Sequence, residues 1–201
     1  CIPQIISAIG ATERIMEIES LASENLSKSK LKDMTANLYI TGKDINFSYK
    51  EDLPILKNIN FNINPSEIVA LVGPTGEGKT TLIRLILSLI HPTSGNAYIS
   101  NNSIKENIIP DHRNLISYVP QGNTLFSGSI RSNLLYGKPD ATDDEIITAL
   151  TSACAIDFVN ELEDGLDTMI GEKGVGISEG QAQRIAIARS FLRIKPILIL
   201  D

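Results

Sequence analysis

The sequence predicts an α/β domain with a mostly parallel core sheet, interleaved helices and an added antiparallel β layer. Three observations carry this expectation. The runs Ile68-Val69-Ala70-Leu71-Val72 and Ile197-Leu198-Ile199-Leu200 are apolar without a break, as strands buried on both faces are. Helical stretches lie between strand candidates, the order that builds parallel crossovers. Upstream, Ile59-Asn60-Phe61-Asn62-Ile63 alternates apolar with polar, as a half-buried antiparallel strand does.

Along the chain, Ile2, Ile5, Ile6, Ile9, Ile15, Met16 and Ile18 recur at near-helical spacing, with Glu13, Arg14 and Glu17 between them. Residues 1–21 therefore read as a helix. Residues 22–37 read as a solvated connector, rich in Ser23, Asn25, Ser27, Lys28, Ser29, Lys30, Lys32 and Asp33. A domain spans 38–201. It opens on strand candidates Leu38-Tyr39-Ile40 and Ile45-Asn46-Phe47-Ser48-Tyr49, which flank Thr41-Gly42-Lys43-Asp44, and continues with Ile55-Leu56. Ile68–Val72 follows as a central strand. A helix is expected over 78–90, closed by His91-Pro92. Ala97-Tyr98-Ile99 and Ile116-Ser117-Tyr118-Val119 are further strands. Short helices are expected over Ser129–Leu135, Thr142–Ala153 and Ile156–Leu162. Asp143 and Asp144 suit the helix dipole at the start of the second. A longer helix over Ser178–Leu192 leads into the last strand.

Composition bounds the function. The chain has 201 residues, 42% hydrophobic and 21% charged, which are globular values. The net charge is −6 and no Lys/Arg run occurs, which argues against a nucleic-acid partner. Cys1 and Cys154 are the only cysteines, so no disulfide framework is expected and a reducing setting fits. Cys154 reads as a small core residue. No stretch approaches the ~20 apolar residues of a membrane span, and the first residues lack a signal-peptide pattern. The chain starts at Cys1 and stops at Asp201, directly after an apolar run. It therefore reads as a piece of a longer protein.

The chemistry concentrates in Gly73-Pro74-Thr75-Gly76-Glu77-Gly78-Lys79-Thr80, between the expected central strand and a helix. Such a loop cradles phosphates with backbone N–H groups and a helix N-terminus. A Cβ at Gly76 or Gly78 would obstruct close backbone approach. Lys79 supplies a mobile cation for β- and γ-phosphates, and the Thr80 hydroxyl can ligate Mg²⁺. A glycine-rich turn without a ligand is the plain alternative. Asp201 follows a buried strand, where a carboxylate can hold a magnesium shell; a turn residue is the alternative. Gln121 can coordinate or orient through a neutral amide, or serve as a loop residue. Ser178 and Gln181 have capping-box spacing, and the same helix tip, with the Gly180 N–H, can bind an anion. Tyr49 can stack on a nucleobase or pack as a strand tyrosine.

Taken together, the phosphate loop, Gln121, Ser178-Glu179-Gly180-Gln181-Ala182-Gln183-Arg184-Ile185-Ala186-Ile187-Ala188-Arg189 and Ile197–Asp201 resemble the nucleotide-binding domain of ATP-binding cassette (ABC) transporters. The resemblance covers about Leu38 to Asp201. Phe47-Ser48-Tyr49, the Gln121–Asn133 region and Thr168–Gly174 look like exporter elements, and Ala11–Met16 looks like the cytosolic end of an exporter's last transmembrane helix. The pattern departs from the family at Ile177, Glu179, Glu77 and Ser66.

The resemblance implies a P-loop NTPase core with a helical signature-motif subdomain, incomplete at its C-terminal side. It implies ATP and Mg²⁺ as cofactors. It implies nucleotide binding by Tyr49, Gly73, Thr75, Gly76, Gly78, Lys79, Thr80, Thr81, Gln121, Ser178, Gly180 and Gln181. Lys79 and Gln121 carry catalytic roles on this reading, and Thr80, Gln121 and Asp201 serve the metal. The implied partners are a second nucleotide-binding domain, identical or different, that supplies its Ser178 tip in trans, and an upstream transmembrane domain. The implied location is the cytoplasmic face of the cell membrane, with residues 1–201 soluble on their own. The family's catalytic Glu would follow Asp201, so residues 1–201 are expected to bind ATP without turnover. A soluble ABC-type ATPase of DNA repair or translation, an importer subunit and a non-catalytic nucleotide-binding module stay open as alternatives.

Overall fold

A computed structural model describes residues 12–16, 18–20, 24, 27–31, 37–122, 125–171 and 176–201. The expected helix over 1–21 lies partly outside the described residues, as do parts of the 22–37 connector and of the 121–133 and 168–174 segments. Residues 12–16 are helical.

The antiparallel layer forms first. β1 (Tyr39–Lys50), β2 (Leu53–Ile63), β3 (Ser94–Ser100) and β4 (Lys105–Asn107) make one sheet in the order β2-β1-β3-β4. Where two strands flanking Thr41–Asp44 were expected, β1 runs through. Its ladder shifts register between Gly42 and Ile45, and Asp44 takes φ 50° in the irregular stretch. Gly42 is needed because the Phe61 ring lies across it: a Cβ there would sit 2.3 Å from Phe61 Cε1.

The phosphate-loop helix α1 covers Lys79–Ile86 and ends four residues before the expected stop at 90. Ser88 turns at φ 53°. Arg113 then takes the freed carbonyls, with Nε donating to Leu87 O at 2.7 Å and Nη2 to Ser88 O at 2.7 Å. A cation on a helix C-terminus satisfies its carbonyls and its dipole together. The inner face of α1, with Leu82, Ile83, Leu85 and Ile86, packs on Ile40, Ile45 and Phe47 of β1, Leu56 of β2 and Ile116 of β5 (Ile116–Val119).

The helical half follows. β6 (Gly128–Ser129) and β7 (Met169–Ile170) pair antiparallel. α2 (Ile130–Leu135), α3 (Asp143–Ser152), α4 (Ile156–Asn160) and α5 (Glu179–Leu192) bury Ile130, Leu134, Ile146, Leu150, Val159 and Ile185 in a second core. Burying each such side chain is worth about 1.5–3 kcal/mol. Thr142 and Glu145 form a reciprocal cap on α3, and Arg131 pairs with Asp143 and Asp167. β8 (Ile197–Leu200) pairs parallel with β5, Val119 opposite Leu200.

Two further expectations are corrected. Ile68–Val72 lies outside every strand, and Ile68 and Val72 are 99% and 89% exposed. An apolar run favours burial between strands, but a ladder needs neighbours within reach, and β5 and β8 pair with each other. Cys154 is exposed, not core. It sits at φ 52° in the turn after α3, between buried Ala153 and Ala155, so the positive φ turns its side chain outward.

Parts of the connector dock onto the domain. Leu31 is fully buried with Leu38, Ile99 and Leu115. Ser29 N donates to Asp111 Oδ2 at 2.9 Å, and its hydroxyl donates to Glu106 Oε2 at 2.6 Å. Glu24 pairs with Arg113 at 2.5 Å. His112 is 1% exposed. Its Nδ1 accepts from Ile109 N–H at 3.1 Å, which leaves the proton on Nε2, 2.8 Å from Ser29 Oγ and 3.1 Å from Glu106 Oε2.

Burial holds His112 below its ordinary value, against the pull of Glu106. Burial pushes Glu106 up, but the Ser29 hydroxyl, Lys30 N–H and His112 outweigh it and hold the carboxyl low. Both groups then take up protons more readily in the unfolded chain, so acid destabilises the fold through each. Stability is full above the ordinary histidine value, about 6.5, and falls as pH drops below it. Thermal unfolding followed by circular dichroism between pH 7.5 and 5 should show a falling Tm, at roughly 2–4 °C for each kcal/mol lost. The fall should be shallower in His112→Gln.

Candidate functional site

The loop before α1 bends through three glycines at positive φ: Gly73 at 155°, Gly76 at 91° and Gly78 at 89°. They are not equivalent. A Cβ at Gly78 would stand 2.9 Å from both Ile55 Cγ2 and Leu56 Cδ2 of β2. A Cβ at Gly76 would meet nothing within 4 Å, so Gly76 is required within this chain for its backbone conformation alone. Gly78 is the N-cap of α1 and offers no side chain to the first-turn amides. Uncapped amides at a helix start attract an anion. Thr75 lies exposed in the loop.

Lys79 folds back over the loop. Its Nζ donates to Gly73 O at 2.7 Å and to Pro74 O at 2.6 Å, holding a cation at the loop mouth. Thr80 Oγ1 donates to Asp201 Oδ1 at 3.1 Å, joining residues 121 positions apart. Asp201 N donates to Val119 O at 3.0 Å, fixing its backbone at the end of the β5–β8 ladder. Tyr118 donates its phenol proton to Asp201 Oδ2 at 3.2 Å. Burial first, then the adjacent Asp201 carboxylate, pushes the Tyr118 phenol up, so it stays a donor. Gln121 is exposed two residues past Val119, beside the strand end that carries Asp201. Hydroxyl, amide and carboxylate oxygens suit a hard divalent cation, with phosphate and water oxygens completing its shell. The donor set present fits Mg²⁺, and the uncapped α1 N-terminus fits a phosphate.

Tyr49 is 51% exposed, its ring edge-on to Phe47 at 4.8 Å. Its hydroxyl accepts from Arg84 Nη1 at 3.0 Å. Arg84 holds the phenol below its ordinary range, and Tyr49 in turn raises Arg84. Thr81, counted above with the binding residues, is 7% exposed on the inner side of α1.

Ser178 caps α5. Its Oγ accepts from Gln181 N–H at 3.2 Å, while Gln181 Oε1 accepts from Ser178 N–H at 2.9 Å. Ser178, Glu179 and Gly180 are exposed at the helix tip. Elsewhere, a cavity of about 330 Å³ opens between β5 and α5, lined by Phe126, Tyr136, Arg189 and Arg193. The Phe126 and Tyr136 rings meet edge-on at 5.0 Å.

The geometry thus joins Thr80 to Asp201, folds Lys79 back over the loop that leads into the same helix, gives Gln121 an exposed position two residues past β5, and places Ser178, Gly180 and Gln181 at the start of α5. Sequence reasoning missed Tyr118 and Arg84. Alternation in β5 was the available signal for Tyr118: Ser117 and Val119 share one face, with Ser117 Oγ on Ser190 O of α5, so Ile116 and Tyr118 must face α1.

The model of the ABC transporter family matches residues 56–201. The chain belongs to the ABC transporter family. Two proteins of Staphylococcus aureus, from strains NCTC 8325 and COL, bear the name multidrug export ATP-binding/permease protein. Each is 47% identical over 158 residues, covering 78% of this chain and 27% of the relative. The fold matches the structure of a bacterial Atm1-family ABC exporter with ATP bound, at TM-score 0.82 and 30% identity, over 96% of this chain and 34% of that one. The chain therefore spans about a quarter to a third of the length of these relatives.

The ABC domain's two inner glycines should respond differently to substitution. In the absence of nucleotide, Gly78→Ala should cost about 1–3 kcal/mol through positive φ together with the contacts on β2. Gly76→Ala should cost less, because only the φ penalty applies. Urea unfolding midpoints at unchanged slope would check the order, and equal losses would refute it.

Proposed function

We propose that this chain is the ATP-binding and ATP-hydrolysing domain of an ABC exporter. The observation that carries the reading is the meeting of Thr80 and Asp201 at 3.1 Å beneath the uncapped start of α1. The names of the relatives support the exporter assignment.

On this reading, Lys79 leaves the Gly73 and Pro74 carbonyls and meets the β- and γ-phosphate oxygens, exchanging neutral acceptors for charged ones. The loop amides hold the β-phosphate, and Tyr49 stacks on the adenine. Thr80, Asp201 and Gln121 would hold the metal shell, and Mg²⁺ bound there would neutralise phosphate charge. Lys79 and Gln121 act as the catalytic residues of this set. Hydrolysis belongs to the complete protein, and residues 1–201 alone bind ATP without turnover: Asp201, the carboxylate of this set, is engaged by Thr80 and Tyr118.

Ser178, Gly180 and Gln181 serve a second domain. Two copies, or this domain and a different one, pair head to tail so that each exposed α5 tip covers the other's phosphate loop. The capping hydrogen bonds engage the N–H groups of Ser178 and Gln181, so the contact falls to the exposed Gly180 backbone and the Ser178 hydroxyl proton. The cavity at Phe126 and Tyr136 receives part of an upstream transmembrane domain. The site then works at the cytoplasmic face of the membrane, and ATP shifts the population toward the closed pair by binding it more tightly.

The test uses the complete protein. Titration with a fluorescent ATP analogue should saturate, and Lys79→Ala should weaken binding roughly ten- to a hundredfold. Cysteines placed by S178C and T75C should crosslink between protomers only with nucleotide present. Absence of saturable binding would remove the nucleotide reading, and absence of the crosslink would remove the head-to-tail pairing.

A further inference from the structure

We infer that Tyr118 is a positioning residue for the metal-binding carboxylate: its phenol anchors Asp201 Oδ2 so that Oδ1 is presented to Thr80 and the cation. The inference rests on the reading that Asp201 belongs to the magnesium shell.

Backbone and both carboxylate oxygens of Asp201 each have a partner. The backbone N–H is bonded to Val119 O at 3.0 Å, Oδ1 to Thr80 at 3.1 Å and Oδ2 to Tyr118 at 3.2 Å. A carboxylate turns easily about its last torsion, where the wells are broad. With Thr80 alone, the Asp201 carboxylate could swing about that single bond. A second anchor on the opposite oxygen fixes its plane.

Tyr118 is built for this task. It stands in mid-strand, opposite Ile199 of the parallel ladder, and packs against the core under α1. Its ring cannot follow the carboxylate if the carboxylate moves. The Asp201 oxygen held by Tyr118 is occupied, so the oxygen shared with Thr80 is the one turned toward a metal. Outer partners that orient ligand carboxylates matter for affinity, commonly by 10–100-fold. The bland account is that a half-buried phenol takes any nearby acceptor, and it predicts no effect on the metal.

Manganese, followed by its paramagnetic resonance, can report on the site in the complete protein with a non-hydrolysable ATP analogue. Tyr118→Phe keeps the ring and its packing and removes only the hydroxyl. It should raise the Mn²⁺ dissociation constant about tenfold. Affinity for the nucleotide in the presence of EDTA should stay unchanged. Asp201→Asn should weaken Mn²⁺ further, and adding Tyr118→Phe to it should cost nothing more. Unchanged Mn²⁺ affinity in Tyr118→Phe, with a loss in Asp201→Asn, would overturn the role of Tyr118 alone. Unchanged affinity in Asp201→Asn would overturn the metal reading beneath it, and Tyr118 with it. A fluorinated tyrosine at 118 in the otherwise native protein covers the case of a variant that fails to fold. Its fluorine resonance should move when Mg²⁺ joins the bound analogue and stay still in Asp201→Asn; a resonance indifferent to Mg²⁺ in the native background would equally overturn the proposal.

Discussion

The contact between Thr80 and Asp201 constrains more of this molecule than any other. It requires a helix start and a strand end, 121 residues apart, to meet at hydrogen-bond distance. Three independent packings must agree for that. α1 must lie on β1 and β2 through Leu82, Ile83, Leu85 and Ile86. β5 must run beneath the same helix, which Ile116 and Tyr118 secure. β8 must pair with β5 in the register that sets Leu200 opposite Val119. A slip of one residue in that ladder would reverse the face of Asp201. The hydrogen bond itself contributes only about 1–3 kcal/mol; it reports the fold more than it holds it.

The phosphate loop is supported unequally. On its C-terminal side Gly78 is wedged against Ile55 and Leu56, and α1 is anchored in the core. On its N-terminal side Ile68–Val72 stands outside the sheets. Between these ends, Lys79 holds Gly73 and Pro74 with its own ammonium. That internal bridge uses the charge a phosphate would otherwise engage. An anion therefore has to displace two neutral carbonyls from Lys79, which favours it electrostatically. The first-turn amides of α1, uncapped at Gly78, add to the same preference.

What the sequence allowed one to read follows from the range of each interaction. The capping box at Ser178 joins residues three apart and stands as expected; the equally local box at Thr142 was open to the same reading but was not singled out. The 3.6 and 2.0 periodicities placed most helices and strands to within a few residues. The end of α1 was misjudged because Arg113, distant in sequence, takes the Leu87 and Ser88 carbonyls. The break expected at Thr41–Asp44 was absorbed by a bulge, since Phe61 across the ladder covers Gly42. Ile68–Val72 was misread because composition reports a preference for burial and not the presence of a pairing partner. In the site, the glycine-rich loop and the end of an apolar strand marked Thr80 and Asp201 as candidates, and the structure brings those two together. Tyr118 was not marked: alternation in β5 turns it toward α1, but its meaning depends on which oxygen its phenol reaches, and that is visible only in the fold.

α1 links the two ends of this arrangement. Its N-terminus forms the phosphate site, and its C-terminal carbonyls are held by Arg113, which also grips Glu24 of the connector. Two anchors thus tie the connector to the domain, and their strengths differ. The Glu24–Arg113 pair is partly exposed, and water and salt screen such pairs until they contribute little. Leu31 is fully buried, and its burial alone is worth about 1.5–3 kcal/mol. Beside it, Ser29, Glu106 and His112 satisfy one another around a buried ring, where a lost partner would leave an unsatisfied polar group costing about 1–3 kcal/mol. The apolar anchor with its buried hydrogen bonds therefore holds the connector in place. The ion pair aligns it with the end of α1 and can exchange with water at little cost, so a pull on residues before Glu24 would strain Arg113 before it freed Leu31.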